Sequence, residues 1–456
     1  MNANVNSNKA SYPSIALFID GEWILDRALC GEVKNPSNER VLALVPRATE
    51  EDLARALRAA TEGFRLWRDT PPDKRGRILL VAAGLLRERR DQIASIITLE
   101  NGKPFAQACA EVERSASFFD WDAAQALRTY GTIVPAGPRK QQMVLRQPIG
   151  PVAAFTPWNV PLSSPSRKVS GALAAGCSVV LKAAEETPGA ACALVQCLVD
   201  AGLPPGVLNL VFGDPGMIST TLIASPIIRA VTLTGSVAVG KHLSQLAGAA
   251  MKPVLMELGG HAPVLVCEDV DPVRLGREAA IAKMRVTGQI CASPSRFIVH
   301  RSIYTEFVNA MAEAAREMRV GDGFEPGVQM GPVANQRRLA VMEALVADAR
   351  QRGARVAAGG ERIGDRGCFF APTVLVDVPL DADAMVLEPF GPVGTCVGAE
   401  NLDDALSIAN ALPSASVLTR SRIRSKRPSV SAANWNRACC RSTTSAPRAR
   451  TRPSAA

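Results

Sequence analysis

The sequence predicts an α/β protein of two domains, each a parallel sheet covered by helices, followed by a basic tail. Three observations carry this prediction. From Gly150 onward, short continuous apolar runs alternate with helical stretches, the pattern of strands buried on both faces. The alternation starts afresh after Glu257, which divides the body into 1–256 and 257–413. The 456 residues suffice for two or three domains of roughly 150 residues, enough to bury about three quarters of the unfolded surface.

Taken in order, residues 51–126 read as helices, because apolar positions recur at three- and four-residue spacing with charges opposite. The runs GPVAAFTP, CSVVLKAA, GVLNLVFG, AVTLTG and KPVLMELGG read as strands. Helical patterns at Ser166 to Ala174, Ala190 to Ala201 and Ala238 to Ala249 separate them. In the second series APVLVC, SRFIVH and VAAG read as strands, and Val273 to Lys283, Ile303 to Met318 and Asn335 to Arg352 as helices.

Hydrophobic residues at 47% and charged residues at 21% exclude a disordered chain and a coiled coil. The formal charge of +9 hints at nucleic acid until it is located. Residues from Ser414 on hold nine Arg, one Lys and no acid, so the rest carries −1. The body therefore gives no electrostatic reason to expect nucleic acid. Eleven cysteines without metal-type pairing, and only three histidines, point to reduced thiols in the cytoplasm and to no metal site. No run reaches the roughly 18 apolar residues of a membrane span, and the N-terminus has no secretory pattern.

Ligands of parallel α/β sheets bind beyond the carboxyl ends of strands, so motifs at strand exits carry most information. No GxGxxG follows a strand. Cys291 lies in a Gly-containing loop beside the small residues Ala292 and Ser293, as a reactive thiolate requires, although a structural thiol has the same surroundings. Glu257 ends a strand before two glycines, where a carboxylate can act as general base or simply be a surface acid. Trp158 and Asn159 leave a strand between two prolines, and a rigid amide there can donate to an oxyanion, worth on the order of 3 kcal/mol of barrier.

Six motifs in order, PWN, VVLKAAEETP, TLTGSVAVG, MELGG, GQIC and EPFGPV, resemble the NAD(P)-dependent aldehyde dehydrogenase superfamily from about Phe18 to Leu412. The resemblance implies a cofactor-binding domain over 1–256 with arm strands near 127–149, a catalytic domain over 257–413, and an oligomerisation arm. It implies Cys291 as nucleophile, Asn159 with the Cys291 amide as oxyanion hole, and Glu257 as base for thioester hydrolysis. Coenzyme-A-dependent relatives lack that base, so the product is a free carboxylate. Trp158, Lys182, Glu185, Gly235, Ser236, Gly240, Leu258, Glu388 and Phe390 fall on the family's cofactor contacts. An acid at Glu185 accepts ribose hydroxyls and repels a 2′-phosphate, which favours NAD over NADP.

Leu233, Val286 and His261 depart from the residues usual at those positions, and a structural and a catalytic place for His261 both stay open. The stretch around PWN and MELGGHAP is most like the succinate-semialdehyde group. Arg167, eight residues after Asn159, then either pairs with a substrate carboxylate or with an acid inside its own domain.

Beyond Pro413 the family pattern stops. Residues 414–456 scatter Arg and Ser without period and read as a disordered tail with neither helix nor strand. Two explanations stand: a basic tail for nucleic acid or acidic lipid, and a change of reading frame, preferred because codons for Arg452 to Ala456 can be regrouped to spell Pro-Phe-Gly-Gly. Losing the arm weakens the homo-oligomer expected of the family and leaves an impaired or non-catalytic relative as the alternative function.

Overall fold

The computed structural model describes residues 12–413, together with the backbone of 418–421 and 440–443. The chain divides into two compact units. The first runs to Leu258 and takes in Val320–Asn335 and Gly364–Phe369, and the second holds Gly259–Arg319, Gln336–Ile363 and the residues from Phe370 on. Glu257 and Leu258 therefore sit with the first unit, and two later segments return to it, which contact-free sequence reading has no means to detect.

The first unit opens with strands β1 (Leu17–Ile19), β2 (Glu22–Ile24), β3 (Leu29–Lys34) and β4 (Val41–Pro46). Helices α1 (Glu50–Asp69), α2 (Pro72–Glu88), α3 (Arg90–Asn101) and α4 (Phe105–Ala126) follow. The first of these helices starts on a capping box between Thr49 and Asp52. An antiparallel hairpin, β5 (Thr132–Val134) with β6 (Gln142–Val144), comes next, where arm strands are expected. Then β7 (Val152–Phe155), α5 (Ser163–Ala174), β8 (Val179–Lys182), α6 (Pro188–Asp200), β9 (Leu208–Val211), α7 (Pro215–Ala224), β10 (Ala230–Gly235), α8 (Val237–Ala249) and β11 (Val254–Leu258) alternate as strand and helix.

The sheet order β11-β10-β7-β8-β9-β1-β2 is parallel through its first five strands. Strands β7, β8 and β9 are wholly buried, which is why they read as continuous apolar runs. Trp67 is fully buried and donates its indole N–H to the Leu173 carbonyl, tying α1 to α5 at 2.9 Å.

The second unit continues with β12 (Pro263–Val266), α9 (Pro272–Met284), β13 (Arg296–His300), α10 (Tyr304–Arg316), α11 (Gln336–Gln351), β14 (Arg355–Ala358), β15 (Thr373–Val376), α12 (Asp383–Val386), β16 (Val393–Ala399) and α13 (Leu402–Asn410). Two strands lie within the tail, β17 (Leu418–Ser421) and β18 (Cys440–Thr443). The order is β14-β15-β16-β13-β12-β17-β18, parallel except at β14. Finding β17 and β18 corrects the expectation of a tail without strands. Ladder bonds run between peptide groups, so a four-residue segment can pair without an apolar period. The expected disorder of 414–417, 422–439 and 444–456 lies outside the described residues.

Candidate active site

In the first unit the expected residues line up along one end of a sheet. Asn159 follows β7, Lys182 closes β8, Gly235 closes β10, and Glu257 and Leu258 close β11. These strands are neighbours and parallel, so all four positions lie at their carboxyl ends. The loop bearing Trp158 and Asn159 is held by buried groups. Asn101 Nδ2 donates to the Trp158 carbonyl at 3.0 Å, and the buried Lys103 ammonium donates to the Asn159 carbonyl at 3.0 Å. Lys103 also pairs with the buried Glu111, whose other oxygen accepts from the amides of Leu162 and Ser163 at 3.0 and 3.1 Å. The Asn159 side chain is 5% exposed, as a rigid donor requires.

Glu257 is exposed on an edge strand. Lys168 of α5 is buried, donates to Thr232 Oγ1 at 3.0 Å, and is pushed down to about 8 by burial, with the Glu257 charge opposing the shift. Sequence reading missed Lys168 and Glu111, single charged residues within helices, and Lys103, in the short connection between α3 and α4, since isolated charges give no periodic signal. Arg167 is exposed, with its guanidinium 5.1 Å from the Phe118 ring centroid. No ion pair to it is found among the described residues. Burial raises the Asp122 carboxyl, opposed by a 2.5 Å bond from Ser170 and then by the Arg167 charge.

Residues of the first unit suit a dinucleotide. Glu185 accepts from Lys182 Nζ at 2.6 Å and from the Gly213 amide at 3.0 Å, which leaves lone pairs for ribose hydroxyls. It lines a cleft with Leu29, Arg47, Gly213, Asp214 and Pro215. Strand β10 passes through Gly235 into α8, where Ser236 is the N-cap and accepts from the Val239 amide at 3.3 Å. That helix start offers backbone N–H groups to a pyrophosphate. A Cβ at Gly240 would lie 2.4 Å from the Leu258 side chain, so glycine lets α8 pack close to β11.

In the second unit the corresponding residues lie at the amino ends of strands: Cys291 precedes β13, and Glu388 and Phe390 precede β16. The carboxyl-end rule therefore locates the groups of the first unit only. Cys291 is exposed. The segment before it, Val286, Thr287 and Gly288, has three successive positive φ angles of 52°, 56° and 70°. Val286, a β-branched residue, is poorly suited to that backbone. A Cβ at Gly288 would lie 2.1 Å from the Gly391 carbonyl oxygen, so the loops of Cys291 and Glu388 touch through glycine.

Glu388 Oε2 accepts from the Gly260 amide at 2.9 Å. Burial raises the Glu388 carboxyl to about 7, against that amide and the Lys283 and Arg338 charges. Lys283 is 1% exposed, pushed down to about 7 by burial, and 3.3 Å from Ser293 Oγ. His261 is 2% exposed with Nδ1 2.8 Å from Ser295 Oγ, and burial followed by the Arg296 and Lys283 charges lowers it to about 3. Burial therefore favours its neutral form. Among the described residues no three His, Cys, Asp or Glu side chains gather as a metal site, and no helix is long and apolar enough to cross a membrane.

The model of the aldehyde dehydrogenase family matches residues 23–432. The match runs past Leu412, where the sequence resemblance was expected to stop, and includes β17. The 4-(hydroxymethyl)benzenesulfonate dehydrogenase TsaD1 of Comamonas testosteroni is 45% identical over 87% of this chain and 83% of its own length. The succinate-semialdehyde dehydrogenase [NADP(+)] GabD of Escherichia coli K12 is 37% identical over 86% and 82%. The crystal structure of succinate-semialdehyde dehydrogenase from Burkholderia pseudomallei superposes with a TM-score of 0.87 at 35% identity, over 93% and 88%. With its parallel sheets, its strand-exit motifs and a match over most of its length, the chain belongs to the aldehyde dehydrogenase family.

Proposed function

We propose that the protein oxidises an aldehyde bearing a remote carboxylate, a small ω-carboxy semialdehyde, to the free acid with NAD. Cys291 attacks the carbonyl carbon to form a thiohemiacetal, whose oxyanion receives hydrogen bonds from the Asn159 amide and the Cys291 backbone N–H. NAD, when bound, supplies the hydride acceptor that leaves a thioester on Cys291. Glu257 takes a proton from water, and the resulting hydroxide hydrolyses the thioester. Lys182 and Glu185 hold the adenosine ribose, Gly235, Ser236 and Gly240 shape the helix start beneath the pyrophosphate, and Trp158, Leu258, Glu388 and Phe390 complete the cofactor site. The acid at Glu185 supports NAD over NADP. Eight free thiols among the described cysteines fit a reducing, cytoplasmic setting.

The observation that carries the substrate class is Arg167, an exposed cation stacked on Phe118, eight residues beyond the oxyanion donor. A guanidinium in this state can bind an anion without breaking an existing ion pair. Relatives named for semialdehydes and for a benzenesulfonate share such an anion, so a sulfonated aldehyde is the second substrate to test. The experiment compares succinate semialdehyde with a neutral aldehyde of equal length, following NADH, in wild type and Arg167→Ala. Selective loss of the acidic substrate by about 10-fold or more is expected; equal turnover of both aldehydes by both proteins refutes the assignment.

A second reading is an impaired enzyme, favoured by ten cations and no acid from Ser414 on. The exposed Ile133, Met143 and Leu145 of the hairpin region suit a homo-oligomer that this ending weakens. Coding DNA that spells the family's ending in another frame would establish the frame change. A stable dimer or tetramer of the chain as given, protected from trypsin at Arg420, Arg422 and Arg424, would refute it.

A further inference from the structure

We propose that Arg338 is a positioning residue for the cofactor side of the reaction, clamping the loop Glu388–Gly391 in the one backbone form that presents Glu388 and Phe390 together. The inference rests on the reading that these two residues meet the cofactor. Arg338 sits in the first turn of α11, and its Nη2 donates to two successive carbonyls, Pro389 and Phe390, the latter at 2.9 Å. The guanidinium carbon lies 5.8 Å from the Phe390 ring centroid. Phe390 has φ +44°, a left-handed backbone that an aromatic residue rarely adopts unless its surroundings hold it there.

The surroundings leave this loop little freedom. A Cβ at Gly391 would lie 2.2 Å from Met342 Sδ, also on α11, while the Gly391 carbonyl abuts Gly288. At the other end, Glu388 is bonded to the Gly260 amide, and a Cβ at Gly259 would lie 2.2 Å from its Oε2. The loop is thus pinned at Glu388 and at Gly391, and Arg338 grips the two peptides between. One nitrogen serves both carbonyls while the planar guanidinium faces the Phe390 ring, and a lysine ammonium that reached the two carbonyls would still lack that planar face. Without the guanidinium the turn at Phe390 can relax, moving the ring and freeing the Glu388 carboxylate, while the thiol loop keeps its own contacts.

The test uses the full chain with Arg338→Ala and Arg338→Lys. Three quantities are read: the NAD dissociation constant by calorimetry, amide hydrogen exchange across residues 385–393, and hydrolysis of p-nitrophenyl acetate, which requires the Cys291 thiol but no cofactor. Arg338→Ala should weaken NAD binding 10-fold or more and speed exchange of the loop, with ester hydrolysis within about twofold of wild type. Arg338→Lys should recover little, and millimolar guanidinium should partly restore NAD binding to the alanine variant. Unchanged exchange and NAD binding would overturn the proposal, as would a parallel loss of ester hydrolysis, the mark of a merely structural residue. If wild type binds no NAD, the cofactor reading falls, and hydrogen exchange still decides whether the clamp exists.

Discussion

Replacing Lys103 with Met should unfasten the oxyanion loop by leaving a buried charge alone. Lys103 and Glu111 are 1% and 6% exposed, and each has further duties: the ammonium bonds the Asn159 carbonyl, and the carboxylate bonds the amides of Leu162 and Ser163. Removing one partner of such a pair costs about 3–5 kcal/mol, because the remaining ion keeps its desolvation penalty without its counter-charge. The double variant Lys103→Met, Glu111→Gln removes that charge, while the Gln carbonyl can still accept from both amides. It should therefore recover about 1–3 kcal/mol of the loss. Four of the five tryptophans, Trp23, Trp67, Trp121 and Trp158, lie in the first unit, so tryptophan fluorescence during urea unfolding, read in a Trp435→Phe background, reports the relevant stability. A double variant no more stable than the single one would refute the reasoning, since the damage would then be lost packing and not an orphaned charge.

Cys291→Ala should lower NADH production by 10³-fold or more, and Glu257→Gln should give a burst of about one NADH per site before slow turnover, checked by stopped-flow absorbance. Gly288→Ala places a Cβ against the Gly391 carbonyl at positive φ, so activity and Cys291 alkylation should change sharply while the tryptophan-monitored transition does not. Burial raises Glu100 from 4.5 to about 7 despite bonds from Tyr12 and the first amides of α6, so the folded state binds the proton more tightly than the unfolded chain. Its stabilisation is complete below pH 4.5 and declines as pH rises to about 7, by roughly 3 kcal/mol. Glu100→Gln should remove that part of the pH dependence of urea unfolding.

The strands that read clearly in the sequence are those with both faces buried, such as Val179–Lys182 and Leu208–Val211, because burial on two sides leaves an uninterrupted apolar run. Helix α7 did not, since PGMISTTLIA is apolar nearly throughout and shows no polar face. Cys291, Glu257 and Asn159 stand out as candidates because the chemistry proposed for them demands particular neighbours in sequence: small residues, glycines, prolines. Lys103, Lys168, Lys283 and Arg338 do not. Their partners range from eight to more than fifty residues away, and a lone charge looks solvated until packing shows otherwise. Strand β17 was hidden by its Arg and Ser, which matter little to a backbone ladder.

That ladder has a consequence for how damage spreads through the protein. Strand β17 pairs along β12 from Val264 to Val266, and without it that buried apolar strand, which begins just beyond Gly259 to His261, would form the raw margin of the sheet. Because peptide groups recognise one another whatever side chains they bear, an ending with altered lettering can still act as a selvedge for the domain that holds Cys291. What such an ending gives the fold is thus its peptide groups, whose pairing with β12 and β18 does not depend on the letters that carry them.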